Sequence, residues 1–443
     1  MALLIRDAEI DGRRRDLVVD GGRITHPDAA GAVTEVLDAR GGALVPGLVD
    51  HHLHLHALAA ARRSVPAGRT RDDLAAALRR AAPDATGWIR VVGSDDEHLD
   101  AATLDHLRPD VPVRVQHRSG AMWTLNSAAL TCVGTLDHPG VDRTPDGTPS
   151  GRLVRADAWL RDRLPAAGPP DLDAVGCELA GYGITAVTDA TPDLDDAAAR
   201  ALTAVPQRLT LLGVPLGAAP PPGASAGPYK IVLADPDLPD PDTLAARIRA
   251  AHAAGRPVAV HSVTRESLVV LLVALEIAGR LPGDRIEHAA LVPQELVASL
   301  AGLAVVTQPG FLADRGDLFR RDVPAAEHGD LYRCRSLVAA GIPVALSSDA
   351  PYGPVDPWSV LRAASTRHTP DGDPLGPHET LTPRQALDAL TAPVPGAPPR
   401  ALRPGAPADL VLLHVPLADA LRAPEAGLVR ATVVDGRWVH RRD

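Results

Sequence analysis

Residues 242–288 read DTLAARIRAAHAAGRPVAVHSVTRESLVVLLVALEIAGRLPGDRIEH, and the alternation inside this stretch decides the fold. Alanine- and leucine-rich segments with helical spacing, Asp242 to Ala254 and Arg265 to Ala278, are separated by short apolar runs, Pro257 to Val260 and Arg285 to Glu287. Near-continuous apolar strands interleaved with helices are the pattern of a parallel sheet covered on both faces. The same texture continues outward in Ala43 to Val49, Ile184 to Thr188, Tyr229 to Leu233, Leu303 to Thr307 and Pro343 to Leu346, with a further helix expected over Pro293 to Leu300. About eight such units close a barrel. The predicted fold class is therefore α/β, a (β/α)8 TIM barrel over residues 44–403.

Two regions depart from this pattern. The first residues alternate with the period of strands: Leu3 to Arg6, Leu17 to Val19, Arg23 to Thr25 and Glu35 to Leu37, broken by Asp-Gly, Gly-Gly and Pro27-Asp28 turns. The last residues share that texture in Asp409 to His414 and in Ala431 to Val439, so residues 1–43 and 404–443 are expected to build one small β-sandwich. Residues 57 to about 175 are too long for a single connection and carry strand candidates at Trp88 to Val92 and Val111 to Gln116. They are expected to form an inserted lid.

Composition narrows the function. The 443 residues carry a formal net charge of -10, with basic residues spread along the chain, which argues against a nucleic-acid partner. No apolar stretch approaches the roughly 18 residues that cross a bilayer, and the start of the chain does not resemble a secretion signal. A soluble, cytoplasmic protein acting on a small molecule is the expectation. Cys132, Cys177 and Cys334 are scattered and without a Cys-x-x-Cys pair, and are read as core thiols rather than disulfides.

Chemistry gathers where apolar runs end. His51, His52, His54 and His56 follow the run from Val45, and in an extended chain positions i and i+2 share a side, so His52 and His54 can grip one ion. His56 shares their parity, and His51 faces the other way. Of the 45 basic residues a single one is lysine, Lys230, at the head of Tyr-Lys-Ile-Val-Leu. A buried amine can lose its proton and act as a nucleophile, which a guanidinium cannot. Reaction of that amine with carbon dioxide would give a carbamate able to bridge two metal ions. His261, His288 and Asp349 stand just past three further runs, and in a barrel all these points fall on the C-terminal rim, where active sites lie.

With their flanks, these residues resemble the amidohydrolase superfamily, and within it the amidohydrolase 3 group of N-substituted formamide deformylase-like metal-dependent hydrolases. The resemblance rests on PGLVDHHLHL at 46–55, LNSAAL at 125–130, RIEHA at 285–289, Gln308-Pro309, SSDAP at 347–351, Asp356-Pro357-Trp358 and PADLVLL at 407–413. It implies that His52 and His54 bind the more buried metal, that a carboxylated Lys230 bridges, that His261 and His288 hold a second ion, and that Asp349 completes the site. Zinc, one ion or two, suits such nitrogen and oxygen ligands and lowers the pKa of bound water toward about 7. Asp349 would take the proton of the attacking hydroxide and deliver it to a leaving nitrogen. The implied reaction is hydrolysis of a carbon–nitrogen bond in an amide, formamide, cyclic amide or carbamate, and a homodimer is the oligomeric state that the resemblance suggests.

Trp123, Asn126, Gln308, Tyr352 and Trp358 are the candidate substrate-binding residues, with Arg118 or Arg315 as receivers of an acidic group. Glu287 is expected either to orient a ligand or to pair with Arg285. Three stretches depart from the group's pattern: Ser119-Gly120-Ala121, Ala234-Asp235-Pro236 and Val263-Thr264-Arg265. Such loops touch substrate, so a relative's substrate does not transfer. The competing readings are a metal-dependent hydrolase of an ester, lactone or phosphoester, and a metal-binding but inactive barrel. A dinucleotide-binding oxidoreductase is disfavoured by the lack of an early Gly-x-Gly-x-x-Gly.

Overall fold

The computed structural model describes residues 2–26, 31–166 and 168–442 and is an α/β protein. The expected Pro27-Asp28 turn lies outside the described residues. The chain divides into two compact units, one of residues 1–55 with 172–443 and one of residues 56–171.

The first unit holds two parallel sheets. In one, strands Ala224–Ala226, Arg208–Leu211, Ile184–Asp189 and Leu48–Leu53 lie in that order; in the other, Tyr229–Val232, Val258–Ser262, Arg285–His288, Ala304–Thr307 and Val344–Leu346 follow one another. Leu48–Leu53, Ile184–Asp189 and Arg285–His288 are buried along their whole length, as strands covered on both faces must be. Backbone hydrogen bonds connect the two sheets at two places: the Lys230 N–H donates to Leu212 O at 3.2 Å, and the Asp349 N–H donates to His52 O at 2.8 Å. Gly47 permits the close approach at the start of the His52 strand, since a Cβ there would sit 2.0 Å from Thr185 Oγ1. Among the helices, Pro241–Ala253 is capped by Asp240, and Arg265–Ala278 by a Thr264–Ser267 capping box.

The ends of the chain form two further sheets in the same unit. Arg23–Thr25, Arg13–Asp20, Ala2–Ile10 and Val33–Asp38 make one; Arg437–Arg441, Val429–Val434, Leu410–Leu413 and Leu44–Pro46 make the other. One apolar cluster draws on both, including Leu3, Ile5, Ile10, Leu410, Leu412 and Val433.

Several expectations need correction. Pro293 to Leu300 is a 3-10 helix, Gln294–Leu300, entered from a proline with no side-chain cap. The strand Arg208–Leu211 was not foreseen, because Arg-Leu-Thr-Leu is short and half polar. Cys132 and Cys177 are exposed, and of the three thiols Cys334 alone is buried. Cys177 falls on the solvent side of a helix whose inner face is Leu172, Val175, Gly176, Leu179 and Ala180.

The second unit is built on a six-stranded sheet in the order Val141–Arg143, Pro149–Val154, Met122–Leu125, Val113–His117, Ile89–Ser94 and Val65–Pro66. Two of its residues were expected to bind substrate, and their surroundings say otherwise. Asn126 is fully buried; its Oδ1 accepts from the N–H groups of Val113 and Ala129, and its Nδ2 donates to Arg108 O and Val111 O. No polar atom of that side chain remains for a ligand. Trp123 is buried, donates its indole N–H to Asp157, and is flanked by the guanidinium groups of Arg90 and Arg114. Arg118 pairs with Asp95 at 2.6 Å. Replacing Asn126 with Ala orphans two buried N–H groups and two carbonyls and should lower unfolding stability by about 2–3 kcal/mol in urea denaturation. Substrate affinity of the protein that remains folded should not change.

Candidate metal centre

The Leu48–Leu53 strand delivers His52 fully buried, and His54 follows one residue beyond the strand end. Asp50, on the same strand, accepts from the N–H groups of His52 at 3.1 Å and Ser348 at 3.2 Å, so it ties this strand end to the loop that carries Asp349. Burial raises the Asp50 carboxyl to about 6 against the opposing effect of these hydrogen bonds. The Leu55 and Thr191 N–H groups donate to Asp189, at 2.8 and 3.0 Å, and Thr191 Oγ1 stands 3.3 Å from His54 Nδ1.

These anchors bring the candidate ligands together. His52 Nε2 lies 3.6 Å and His54 Nε2 3.4 Å from Asp349 Oδ1, and Lys230 Nζ lies 3.4 Å from His52 Nε2. The His288 ring is centred 4.8 Å from that of His52 and 4.5 Å from that of His261. Two of these residues, His288 and Asp349, together with Ala289, hold positive φ angles of 72°, 55° and 45°. Backbone strain of this kind in residues other than glycine concentrates where side chains must be aimed.

Each ring is turned by a partner behind it. Glu287 is fully buried, its Oε2 against His52 Nδ1 and its Oε1 accepting from Arg285 Nε, so both expectations for Glu287 describe one chain of contacts, Arg285 to Glu287 to His52. That chain leaves Nε2 of His52 facing Asp349. Gln308 Oε1 meets His288 Nδ1 at 2.9 Å and its Nε2 donates to Ser347 Oγ. Gln308 is fully buried with both ends of its amide engaged, so it positions His288 rather than a substrate. Trp358 is likewise buried, its indole N–H given to Tyr182 O. The ring of Tyr352, another substrate candidate, is centred 5.5 Å from that of His54. Arg315 donates to Tyr352 O and pairs with Asp314.

The electrostatics fit a cation. Burial first, and then the charges of Lys230 and His54, push the His52 imidazole well below its usual pKa; burial and then His261 and His52 do the same to His288. Burial also lowers the Lys230 amine against the upward pull of Glu287 and Asp349. Burial thus favours the neutral form of both imidazoles, and Asp349 Oδ1 is buried with no hydrogen-bond partner. An unpartnered buried carboxylate oxygen costs free energy that a metal ion offsets. Ligand atoms of His52, His54 and Asp349 all lie within 4.8 Å of one another. Asp50, Asp189 and Ser347 were not singled out from sequence, although Asp189 obeys the rule that found the others, a polar residue ending an apolar run.

Residues 35–440 match the amidohydrolase family. The chain belongs to that family. This amidohydrolase is a hydrolase acting on carbon–nitrogen bonds. It is 27% identical to N-substituted formamide deformylase of Arthrobacter pascens, over 85% of this chain and 84% of the relative. Its fold is similar to the crystal structure of an uncharacterized metal-dependent hydrolase from Pyrococcus horikoshii OT3, with a TM-score of 0.73 at 18% identity over 99% of this chain and 100% of the other. Atrazine chlorohydrolase TrzN from Arthrobacter aurescens TC1, complexed with zinc, aligns with a TM-score of 0.58 at 18% identity over 99% and 95% of the two chains.

Removing the carboxylate behind His52 tests the construction of the centre. Glu287→Ala leaves Arg285 buried without its partner and frees the His52 ring to rotate, so the affinity for zinc should fall roughly 10- to 100-fold in chelator competition. Unchanged affinity would show that Glu287 serves only Arg285.

Proposed function

We propose that this amidohydrolase cleaves the carbon–nitrogen bond of a small amide, formamide, cyclic amide or carbamate with one or two zinc ions. The observation that carries the reading is the meeting of His52, His54 and Asp349 beside a buried lysine amine, Lys230. His52, His54 and Asp349 would hold the inner ion, and His261 and His288 the outer one. Lys230 would bridge as a carbamate: its unprotonated amine forms an N–C bond to carbon dioxide and releases one proton, leaving an anionic oxygen donor. Zinc supplies Lewis acidity at such nitrogen and oxygen ligands and makes water a nucleophile near neutral pH.

The chain's own residues do the rest. Asp349 accepts the proton of the attacking water and returns it to the leaving nitrogen, so that an acid and an amine depart. Glu287 and Gln308 hold the His52 and His288 rings in one orientation through both steps. Burial of the centre strengthens each of these interactions by removing competing water. The reading takes the two parallel sheets as a single closed (β/α)8 barrel, supported by the Lys230–Leu212 and Asp349–His52 backbone bonds, and the terminal sheets as a β-sandwich. A zinc complex of the similarly folded atrazine chlorohydrolase supports the choice of metal.

Asp349→Asn should keep most of the bound zinc and lower kcat on a responsive amide by roughly 10²- to 10⁴-fold. Retained turnover would remove Asp349 from proton transfer. With ¹³C-labelled bicarbonate, the wild type should show a carbamate carbon signal that Lys230→Ala lacks; the same spectrum from both would leave Lys230 unmodified. A panel of amides and esters on the zinc-loaded protein checks the bond cleaved.

A further inference from the structure

Within the first unit, a cavity of about 340 Å³ opens beside two of the ligand-bearing strand ends. Val263 lies two residues past His261 and Ala290 two past His288, and both line it. Phe319 from helix Gly310–Asp322, Val323 at the end of that helix, and Leu291, Leu331 and Tyr332 line it too. Ala290, Leu331 and Tyr332 belong to a buried apolar cluster against which Val263, Leu291, Phe319 and Val323 pack, so the cavity is a gap in a greasy surface. Its volume falls in the range of about 300–1,000 Å³ that small-molecule pockets occupy.

Thr264, Arg265, Glu266 and Glu327 complete the lining. Arg265 pairs with Glu327 at 3.0 Å, and the Thr264 hydroxyl is held by Asp235 and by its capping partner Ser267.

The wall is fixed before any ligand arrives. Arg367 is fully buried and gives Nη1 to Tyr332 O at 2.9 Å, Nη2 to Leu331 O at 2.7 Å and Nε to Leu375 O at 2.9 Å. The Tyr332 N–H donates to Ala290 O at 2.8 Å, and Tyr332 is held at a φ of 43°. A buried guanidinium committed to carbonyls around a strained tyrosine is a support for a rigid surface. Tyr352, whose ring is centred 5.5 Å from that of His54, packs against the same apolar cluster, which ties this surface to the candidate metal centre.

We propose that this cavity is the specificity pocket of the centre and takes an uncharged apolar substituent of the substrate, an aromatic ring or a branched alkyl group attached next to the scissile carbon–nitrogen bond. The inference rests on the hydrolase reading above. Apolar walls bind such a group in proportion to its buried area, and a charged group set against them would lose its hydration.

The test uses zinc-loaded full-length protein and two series. N-methyl-, N-butyl- and N-benzylformamide place the group on nitrogen; acetamide, pentanamide and phenylacetamide place it on the acyl carbon. In the series whose substituent enters the cavity, kcat/KM should rise by roughly fourfold per methylene buried. N-formylglycine and malonamic acid, which carry a carboxylate there, should show no rise. Leu291→Trp and Val323→Trp, which fill the cavity from two different segments of its lining, should lower the benzyl-to-methyl or phenylacetyl-to-acetyl ratio at least tenfold. Zinc stoichiometry identifies folded variants, and either one suffices. Hydrolysis with flat series, or ratios that survive both fillings, would overturn the pocket and leave the hydrolase reading standing. No hydrolysis of any amide by the zinc-loaded wild type would overturn the hydrolase reading and this inference with it.

Discussion

The candidate centre depends on the backbone bonds between the end of the Leu48–Leu53 strand and the loop after Val344–Leu346. The Asp349 N–H donates to His52 O, the His54 N–H donates to Ala350 O, and the Asp50 carboxylate accepts from both sides. Parallel strands all finish on the same side of their sheet, so these bonds bring the two ends of a long chain segment to one rim. The residues between them add Lys230, His261 and His288 from three neighbouring strands. Nothing local to any one segment would assemble that set.

What gathers there is unfavourable without a cation. Imidazoles held neutral by burial face one another and an unpartnered carboxylate oxygen, and two of the residues concerned adopt strained backbone. The surroundings hold this arrangement in place: Arg285 and Glu287 behind His52, Ser347 and Gln308 behind His288, Asp189 and Thr191 beside His54. Each link satisfies a buried polar group and also fixes a rotamer. The same economy recurs at Arg367, which satisfies three carbonyls and sets the wall of the neighbouring cavity.

Much of this was legible in the sequence for a simple reason. A strand buried on both faces is written as an apolar run, so a histidine or aspartate at its end stands out; His261, His288 and Asp349 were singled out in that way, and Lys230 by being the sole lysine. The helix Arg265–Ala278 was readable to the residue because Thr264 caps it and a glycine ends it. Arg208–Leu211 was not, since it is short and half polar. Asn126, Gln308 and Trp358 were placed wrongly because a polar or aromatic residue near a presumed rim loop reads the same whether it meets a ligand or a backbone carbonyl. Only burial and the partners of each polar atom separate the two cases. Asp50 escaped because its partner, Ser348, is 298 positions away.

The central claim is that His52, His54 and Asp349 converge on a common metal ion. Anomalous diffraction at the zinc edge from crystals of zinc-loaded protein tests it most directly. The account predicts a strong anomalous peak bounded by His52 Nε2, His54 Nε2 and Asp349 Oδ1. A crystal saturated with zinc that shows its peaks only elsewhere, or none, would contradict it.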